Sequence, residues 1–212
     1  MSNQNQSWGI LPTQQDEDNT RAHAVSDPAG YHAGIAGREL HWFDGDTQSW
    51  ISQTDTGEWA GWHDRDASSA HADASWQPWS HPLDDSLSPY YRWFVDGQTN
   101  ACFNLIDRHV LSGRGDQIAI VFEGDRWDPS KNDGRGGPVH EQRVTYRELL
   151  VEVALRTRVL KQANLSCGDR VALNLPNVLE QIFYILACQR LGVIYTPVFG
   201  GFSAKTLSDR IH

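Results

Sequence analysis

The sequence predicts an α/β protein with parallel strands, preceded by an irregular tryptophan-rich extension. Arg170–Leu175 and Val193–Val198 have the apolar character of two buried strands. Between them, apolar side chains recur at helical spacing from Val178 to Ala187. A strand, a helix and a second strand in this order form a βαβ unit, in which the two strands run parallel.

Charge and tryptophan content divide the chain into two halves. The chain has 212 residues and a formal net charge of −9. Its first 100 residues contain 15 acidic and four basic residues, hence a net charge of −11, whereas residues 101–212 have a net charge of +2. Eight of the nine tryptophans lie at or before Trp93. An acidic first half repels phosphate backbones, which argues against a nucleic-acid partner.

Targeting signals and cysteine frameworks are not apparent. Met1–Gln6 has neither the basic start nor the apolar run of a signal peptide. The longest apolar run, Phe183–Cys188, is far too short to span a membrane. Cys102, Cys167 and Cys188 form no C-x-x-C pair, which argues against a disulfide scaffold or a zinc site. We expect a cytoplasmic protein without a membrane partner.

The first half shows little regular pattern. Residues 1–24 are polar and aperiodic, and are predicted to form a flexible tail. A short helix is expected within Ala24–Phe43. Residues 44–89 have few aliphatic side chains, so we expect no core of their own and tryptophans that pack on a neighbouring domain.

The second half is more regular. Asn104–Val110 is expected to be helical, Gln117–Phe122 to be a strand, and Asp125–Gly137 to be a long loop. Thr145 and Glu148 have the spacing of a capping box that opens the next helix.

A turn and a final helix follow the βαβ unit. Gly192 is expected to end the helix of that unit, and Ser203 to cap a further helix over Ala204–Ile211. The chain stops at His212, inside that helix, so we expect a cut in a longer domain.

The Gly200-Gly201 turn is the best candidate for ligand chemistry. Two glycines let a ligand approach the backbone, and a helix N-terminus offers free amides. The segment partly imitates a phosphate-binding P-loop, but Ala204 stands where that motif needs glycine before its lysine. Spacing alone favours an ordinary tight turn over a phosphate site.

Three other features have ordinary structural interpretations. Arg114-Gly115-Asp116 spells an adhesion tripeptide but is expected to be a turn. His109 is interpreted as a helix-end histidine paired with a local carboxylate, without a nearby nucleophile. The aspartate- and tryptophan-rich residues 44–96 are compatible with sugar or divalent-cation binding, but packing aromatics are favoured over both.

Three blocks of this sequence resemble the AMP-forming acyl-CoA synthetases, in particular the acetyl/propionyl-CoA synthetase branch of the adenylate-forming superfamily. The resemblance is strong from about residue 87 to 212 and loose over residues 25–86. The blocks are Trp93–His109 with its continuation to Asp125, Val144–Leu149 (V-T-Y-R-E-L), and Gly168–Ala204, which ends in V-F-G-G-F-S-A.

The resemblance implies a two-step reaction and the first part of an AMP-binding adenylating domain. ATP and a short-chain carboxylate give an acyl-adenylate, and the thiol of coenzyme A then displaces AMP. It also implies that Phe199, Gly200 and Gly201 line the site for the adenine end of coenzyme A. A Cβ at either glycine would obstruct a planar ligand lying on the backbone.

The family's other functional elements are not found in residues 1–212. These elements are a glycine-rich Ser/Thr loop for ATP, a magnesium-coordinating acid and a catalytic lysine, whereas the only lysines here are Lys131, Lys161 and Lys205. We therefore assign no catalytic or metal-binding residue, and expect the ATP and magnesium sites beyond residue 212 and this segment alone to be inactive.

One departure bears on the substrate. Tyr195-Thr196-Pro197-Val198 stands where acetyl-specific enzymes usually have His-Ser-Val before F-G-G-F. The insertion over residues 44–89 and the loop over residues 126–142 are also unusual for the branch. Together these features resemble the ligase modules of multifunctional propionyl-CoA synthases, which activate 3-hydroxypropionate and are followed by hydratase and reductase modules. Acetate, propionate and 3-hydroxypropionate therefore remain open as substrates.

The sequence thus predicts a flexible tail (1–24), an acetyl-CoA-synthetase-like extension with an insertion (25–86) and the first part of the adenylating domain (87–212). The alternative is a non-catalytic protein-docking module with an acidic, tryptophan-rich arm. That module would bind a protein without ATP or coenzyme A.

Overall fold

The structure is a computed structural model, and the chain divides into two compact units, Met1–Thr99 and Asn100–His212. The described residues are 13–46, 48–53, 59–61 and 77–211. Trp62, Trp76 and the first twelve residues of the expected flexible tail lie outside them. Among the described residues, no helix combines the length and apolar character that crossing a membrane requires.

The first unit opens with two helices, α1 (Gln14–Ser26) and α2 (Pro28–Glu39). No regular structure was expected before residue 24, so α1 is a difference from the prediction. Thr13 caps α1 by accepting the Asp16 amide at 3.2 Å. The sequence of α1 lacks apolar side chains at helical spacing, the pattern from which helices are predicted. Accordingly, no residue of α1 is buried.

Five short strands complete the first unit. β1 (Trp42–Asp44), β2 (Ser49–Gln53) and β3 (Trp59–Gly61) form an antiparallel sheet in that order. β4 (His81–Asp84) and β5 (Arg92–Val95) form a separate antiparallel pair.

Trp42 and Trp79 form the centre of a small aromatic core within the first unit. Trp42 is 2% exposed and donates its indole N–H to the Ala36 carbonyl at 3.0 Å. Its ring centroid lies 4.9 Å from Trp79 and 5.3 Å from Phe94. Of this cluster, only Trp59 and Trp79 lie within residues 44–89, and they pack with Ala36, Trp42 and Phe94, which lie outside that range but in the same unit. Indole rings thus supply the buried area that aliphatic side chains supply elsewhere.

The second unit begins with a helical segment from residue 101 that includes two π-helical stretches, Phe103–Asp107 and Val110–Arg114, the second of which is kinked at Ser112 and Gly113. The expected helix over Asn104–Val110 is therefore confirmed. Strand β6 (Ile118–Glu123) follows and pairs antiparallel with β9 (Glu141–Thr145).

The segment between β6 and β9 is a small hairpin, where a long loop over Asp125–Gly137 was predicted. β7 (Trp127–Asp128) pairs with β8 (Gly137–Pro138), and a short helical turn, α3 (Lys131–Gly134), joins them. Lys131 Nζ donates to the Pro138 carbonyl and, at 3.2 Å, to the Val139 carbonyl. These contacts involve a side chain and distant carbonyls, so no local pattern indicated them.

The predicted capping box is confirmed at the start of α4 (Tyr146–Gln162). Thr145 Oγ1 accepts the Glu148 amide at 3.2 Å, and Glu148 accepts the Thr145 amide at 2.8 Å. The hydrogen bonds from Thr145 lower the pKa of the Glu148 carboxyl. Leu149, Val153 and Leu160 form the buried face of this helix.

The predicted βαβ unit is also confirmed. β10 (Arg170–Leu175), α5 (Leu179–Leu191) and β11 (Ile194–Phe199) follow one another, and the two strands pair in parallel. Gly192 ends α5 with a φ of 71°, in the left-handed region that favours glycine. Helix α6 (Ala204–Ile211) comes last.

The core of the second unit is mainly aliphatic and lies between these helices and strands. Its buried members are Cys102, Ile106, Val144, Leu149, Val153, Leu160, Leu179, Phe183, Leu186, Ala187, Cys188 and Val193.

Candidate functional site

The candidate site lies at the carboxyl edge of the parallel strand pair. β10 and β11 are in register along their whole length, so that Leu175 is paired with Phe199 at the end of both strands. The loops that follow, residues 176–178 and 200–203, therefore emerge side by side. Ligands of open α/β sheets bind outside the carboxyl ends of the strands.

The two glycines after β11 are packed tightly against the chain itself. A Cβ on Gly200 would lie 3.2 Å from the Pro176 nitrogen, and a Cβ on Gly201 would lie 2.8 Å from the Phe199 ring. The Phe202 amide closes the turn by donating to the Phe199 carbonyl at 3.0 Å. Close packing within a tight turn is therefore one reason for glycine at both positions, and access of a ligand to the backbone is the other.

Two aromatic rings flank the glycine turn. Phe199 is 58% exposed and Phe202 is 45% exposed. Their centroids are 5.9 Å apart with an interplanar angle of 77°, an edge-to-face contact. The turn therefore presents exposed aromatic surface beside a backbone without side chains, which suits a planar ligand.

Helix α6 begins at this turn. Ser203 Oγ accepts the Thr206 amide at 3.3 Å, which confirms Ser203 as the N-cap. Lys205 is exposed in the first turn of the helix.

A second group of residues anchors the helix that leads into β11. Asn100 Nδ2 donates to the carbonyls of Gln189 and Arg190, at 3.3 and 3.1 Å. These carbonyls lie in the last turn of α5, where backbone carbonyls have no hydrogen-bond partner within the helix. Arg190 forms a bidentate ion pair with Asp107, at 3.1 and 2.5 Å. Asn100 and Asp107 belong to the first block of the sequence resemblance, and here they hold the helix end from which β11 starts.

His109, in the same block, is buried, and no carboxylate pairs with it in the part of the chain that the structure describes. The Arg114 guanidinium lies against its Nδ1, and the Tyr146 ring packs against the imidazole at a tilt of 52°, with centroids 4.7 Å apart. Burial, followed by the charges of Arg114 and Arg108, lowers the pKa of His109 to about 4. The interpretation of a carboxylate-paired histidine was wrong because Asp107 pairs with Arg190, a residue 83 positions away.

A separate open groove of about 450 Å³ lies in the second unit, between β9, α4 and α5. Phe122 and Phe183 contribute aromatic walls, and Arg156 lies over the Phe183 ring at 5.4 Å while pairing with Glu152. Phe199, Gly200 and Gly201 do not line this groove. The sequence-predicted residues therefore lie at the strand edge and outside this groove.

Metal ligands and reactive thiols are not concentrated at the strand edge. In the described ranges, no three His, Cys, Asp or Glu side chains are grouped so as to hold a metal ion. Cys102 and Cys188 are buried free thiols, and burial raises the pKa of both. Cys167 is exposed and also free.

Comparison with known families matches most of the second unit and part of the first. The model of the AMP-binding enzymes matches residues 108–212. The model of the acetyl-coenzyme A synthetase N-terminus matches residues 67–105.

Curated relatives agree with these matches. An acetyl-coenzyme A synthetase of Methylobacillus flagellatus is 43% identical over 146 residues, which cover 68% of this chain and 20% of the relative. One of Burkholderia lata is 41% identical over 135 residues, covering 64% of this chain and 19% of the relative. One of Paraburkholderia phymatum is 41% identical over 138 residues, covering 65% and 19%.

The chain belongs to the adenylate-forming AMP-binding enzymes and has an acetyl-CoA synthetase-like N-terminal portion. It spans about a fifth of the length of the curated relatives it matches. The predicted fold, the first part of an AMP-binding α/β domain, is confirmed together with the family resemblance.

Proposed function

We propose that the protein containing this chain is an acid–thiol ligase that joins a short-chain carboxylate to coenzyme A, with cleavage of ATP to AMP and pyrophosphate. A carboxylate oxygen attacks the α-phosphorus of ATP and pyrophosphate leaves. The coenzyme A thiol then attacks the acyl carbon and AMP leaves. The observation that carries the proposal is the match to both family models, together with relatives named acetyl-coenzyme A synthetase.

Within this chain, we assign Phe199, Gly200 and Gly201 to the adenine end of coenzyme A. Three features support the assignment: the turn lies at the carboxyl edge of parallel strands, Phe199 is more than half exposed, and the glycines leave the backbone uncovered. An exposed ring provides a stacking face for a purine.

The remaining parts of the machinery belong to the rest of the same enzyme in this proposal. ATP and magnesium bind outside residues 1–212, so this segment alone does not complete the reaction. The enzyme acts in the cytoplasm on small molecules, without nucleic-acid or membrane partners, and its substrate is acetate, propionate or 3-hydroxypropionate. The departure at Tyr195–Val198 favours a propionyl-CoA synthase-type ligase followed by hydratase and reductase modules.

The activity is tested by incubating the complete enzyme with ATP, magnesium, coenzyme A and each carboxylate in turn. We expect AMP and the acyl thioester in equal amounts, with acetate the weakest substrate. A strong preference for acetate contradicts the propionyl-CoA synthase assignment alone. Absence of AMP release with every carboxylate contradicts the ligase and favours the docking module.

The coenzyme A site is tested with Phe199→Ala, whose exposed ring can be removed without opening a core cavity. We expect the KM for coenzyme A to rise about tenfold, as expected for the loss of about 1.4 kcal/mol of stacking. Carboxylate-dependent exchange of pyrophosphate into ATP stays unchanged because that half-reaction does not use coenzyme A. Ile194→Ala, at the other end of β11 and 55% exposed, is the matched control and leaves both measurements unchanged.

A further inference from the structure

Asn177 lies on the loop that touches the glycine turn. It follows Pro176, whose backbone nitrogen is the closest neighbour of a Cβ placed on Gly200. Because Leu175 and Phe199 are paired at the ends of their strands, residues 176–178 and 200–203 form the two sides of one strand edge. Asn177 is therefore adjacent in space to the residues assigned to coenzyme A.

The side chain of Asn177 has no structural task within the described part of the chain. It is exposed, and no hydrogen bond or ion pair engages it among the described residues. Asparagine just before a helix commonly serves as a cap, yet Val178 is the N-cap of α5 and no side chain caps this helix. The Val178 amide donates to the Pro176 carbonyl at 2.8 Å, so Asn177 stands at the apex of a tight turn.

A free carboxamide at this position suits a purine edge. Asparagine offers one acceptor and two donor hydrogens, which match the amino group and the adjacent ring nitrogen of adenine. Phe199 and Phe202 offer exposed rings at the same edge, so that a base can stack and be hydrogen-bonded at once.

We propose that Asn177 is a specificity-determining residue that reads the adenine edge of coenzyme A at the Phe199-Gly200-Gly201 turn. The proposal rests on the proposed function, since it takes the coenzyme A assignment of that turn as its starting point. It adds a residue from a different loop to the site, and it explains an otherwise unused polar side chain at the strand edge.

The test compares Asn177→Ala and Asn174→Ala in the complete enzyme. Asn174 is also exposed, lies three residues earlier on β10 and is the matched control.

The thiol substrates are coenzyme A, its deaminated analogue with hypoxanthine in place of adenine, and pantetheine, which has no nucleotide. With Asn177→Ala we expect the KM for coenzyme A to rise five- to tenfold, as the loss of about one to two hydrogen bonds predicts. The KM for pantetheine stays unchanged, and the preference for adenine over hypoxanthine disappears.

The outcomes separate this proposal from the function on which it rests. An unchanged KM for coenzyme A in Asn177→Ala overturns the proposal, as does an equal rise for coenzyme A and pantetheine, which marks a structural role. If Phe199→Ala weakens coenzyme A binding and Asn177→Ala does not, only the role of Asn177 is wrong. If thioester forms but neither variant affects coenzyme A, the assignment of the Phe199-Gly200-Gly201 turn to coenzyme A fails. If no thioester forms, the proposed function itself fails.

Discussion

The buried residues of the first unit differ in kind from those of the second. In the first unit, indole and phenyl rings meet at centroid distances of 4.9–5.6 Å around α2 and the strands nearby. In the second unit, a mainly aliphatic core fills the space between long helices and paired strands. A few large aromatic rings therefore stabilise the short strands of the first unit. The second unit is stabilised by contacts among many smaller aliphatic side chains.

This difference determines how each unit should respond to loss of one side chain. A ring cluster concentrates buried area in few residues, so each ring carries much of the stability of the unit. An aliphatic core distributes the same area over many residues.

The largest effect is expected for Trp42→Ala. This ring is 2% exposed, contacts two other aromatic rings and donates a hydrogen bond to Ala36. We expect a loss of about 3–5 kcal/mol in the free energy of unfolding, measured by urea unfolding with amide exchange of β1 and β2. Trp127→Ala removes a ring that is 61% exposed and should cost less than about 0.5 kcal/mol. Equal losses in the two variants would show that the aromatic cluster does not hold the first unit.

A smaller effect, specific to the second unit, follows from His109. Its pKa is about 4 in the fold and 6.5 as the ordinary value, so the unfolded chain binds more protons between these two pH values. Stability is therefore complete above about pH 6.5 and falls as the pH drops toward about 4, by up to about 1.4 kcal/mol per pH unit. Urea midpoints measured from pH 7 to pH 4 should show this slope.

The variants for the pH prediction are His109→Gln and His140→Gln. His109→Gln should flatten the pH dependence of the urea midpoint between pH 4 and 6.5, whatever its effect on stability at pH 7. His140→Gln removes an exposed histidine of the same unit and should leave the pH dependence of the urea midpoint as it is in the unchanged protein. A slope that survives in His109→Gln assigns the pH dependence to another group.

The smallest effect concerns two threonine caps that accept a helix amide at the same distance. Thr13 and Thr145 each accept a helix amide at 3.2 Å. Thr145→Ala should cost about 1 kcal/mol of unfolding free energy, because α4 carries buried residues. Thr13→Ala should leave the unfolding midpoint unchanged and only lower helicity, because α1 buries none. Equal shifts in the unfolding midpoint would mean that α1 is coupled to the global transition.

The features that were correctly predicted are those whose interactions are local in sequence. The capping box at Thr145, the left-handed Gly192 and the cap at Ser203 each involve residues within four positions of one another. The parallel pairing of β10 and β11 followed from the helix between them. The candidate turn at Phe199–Gly201 came from the family resemblance and stays a prediction, as do the domain boundaries at residues 24 and 86.

The features that were missed depend on contacts distant in sequence or on helices without an apolar face. Helix α1 has polar residues on every side, and the ring cluster around Trp42 joins segments separated by more than 30 residues. The partner of Asp107 is Arg190, and Asn100 caps the end of a helix 89 residues away.

The sequence by itself determined the family, the βαβ unit and the helix ends, because caps, glycines and apolar periods act over one or two turns. Only the tertiary structure decided that Trp42, Trp79 and Phe94 pack together as one ring cluster, that Asp107 holds Arg190 instead of His109, and that Asn177 stands beside the glycine turn. These arrangements depend on which backbone segments pack together, and the energy that selects among such pairings comes from burial and desolvation summed over the whole unit.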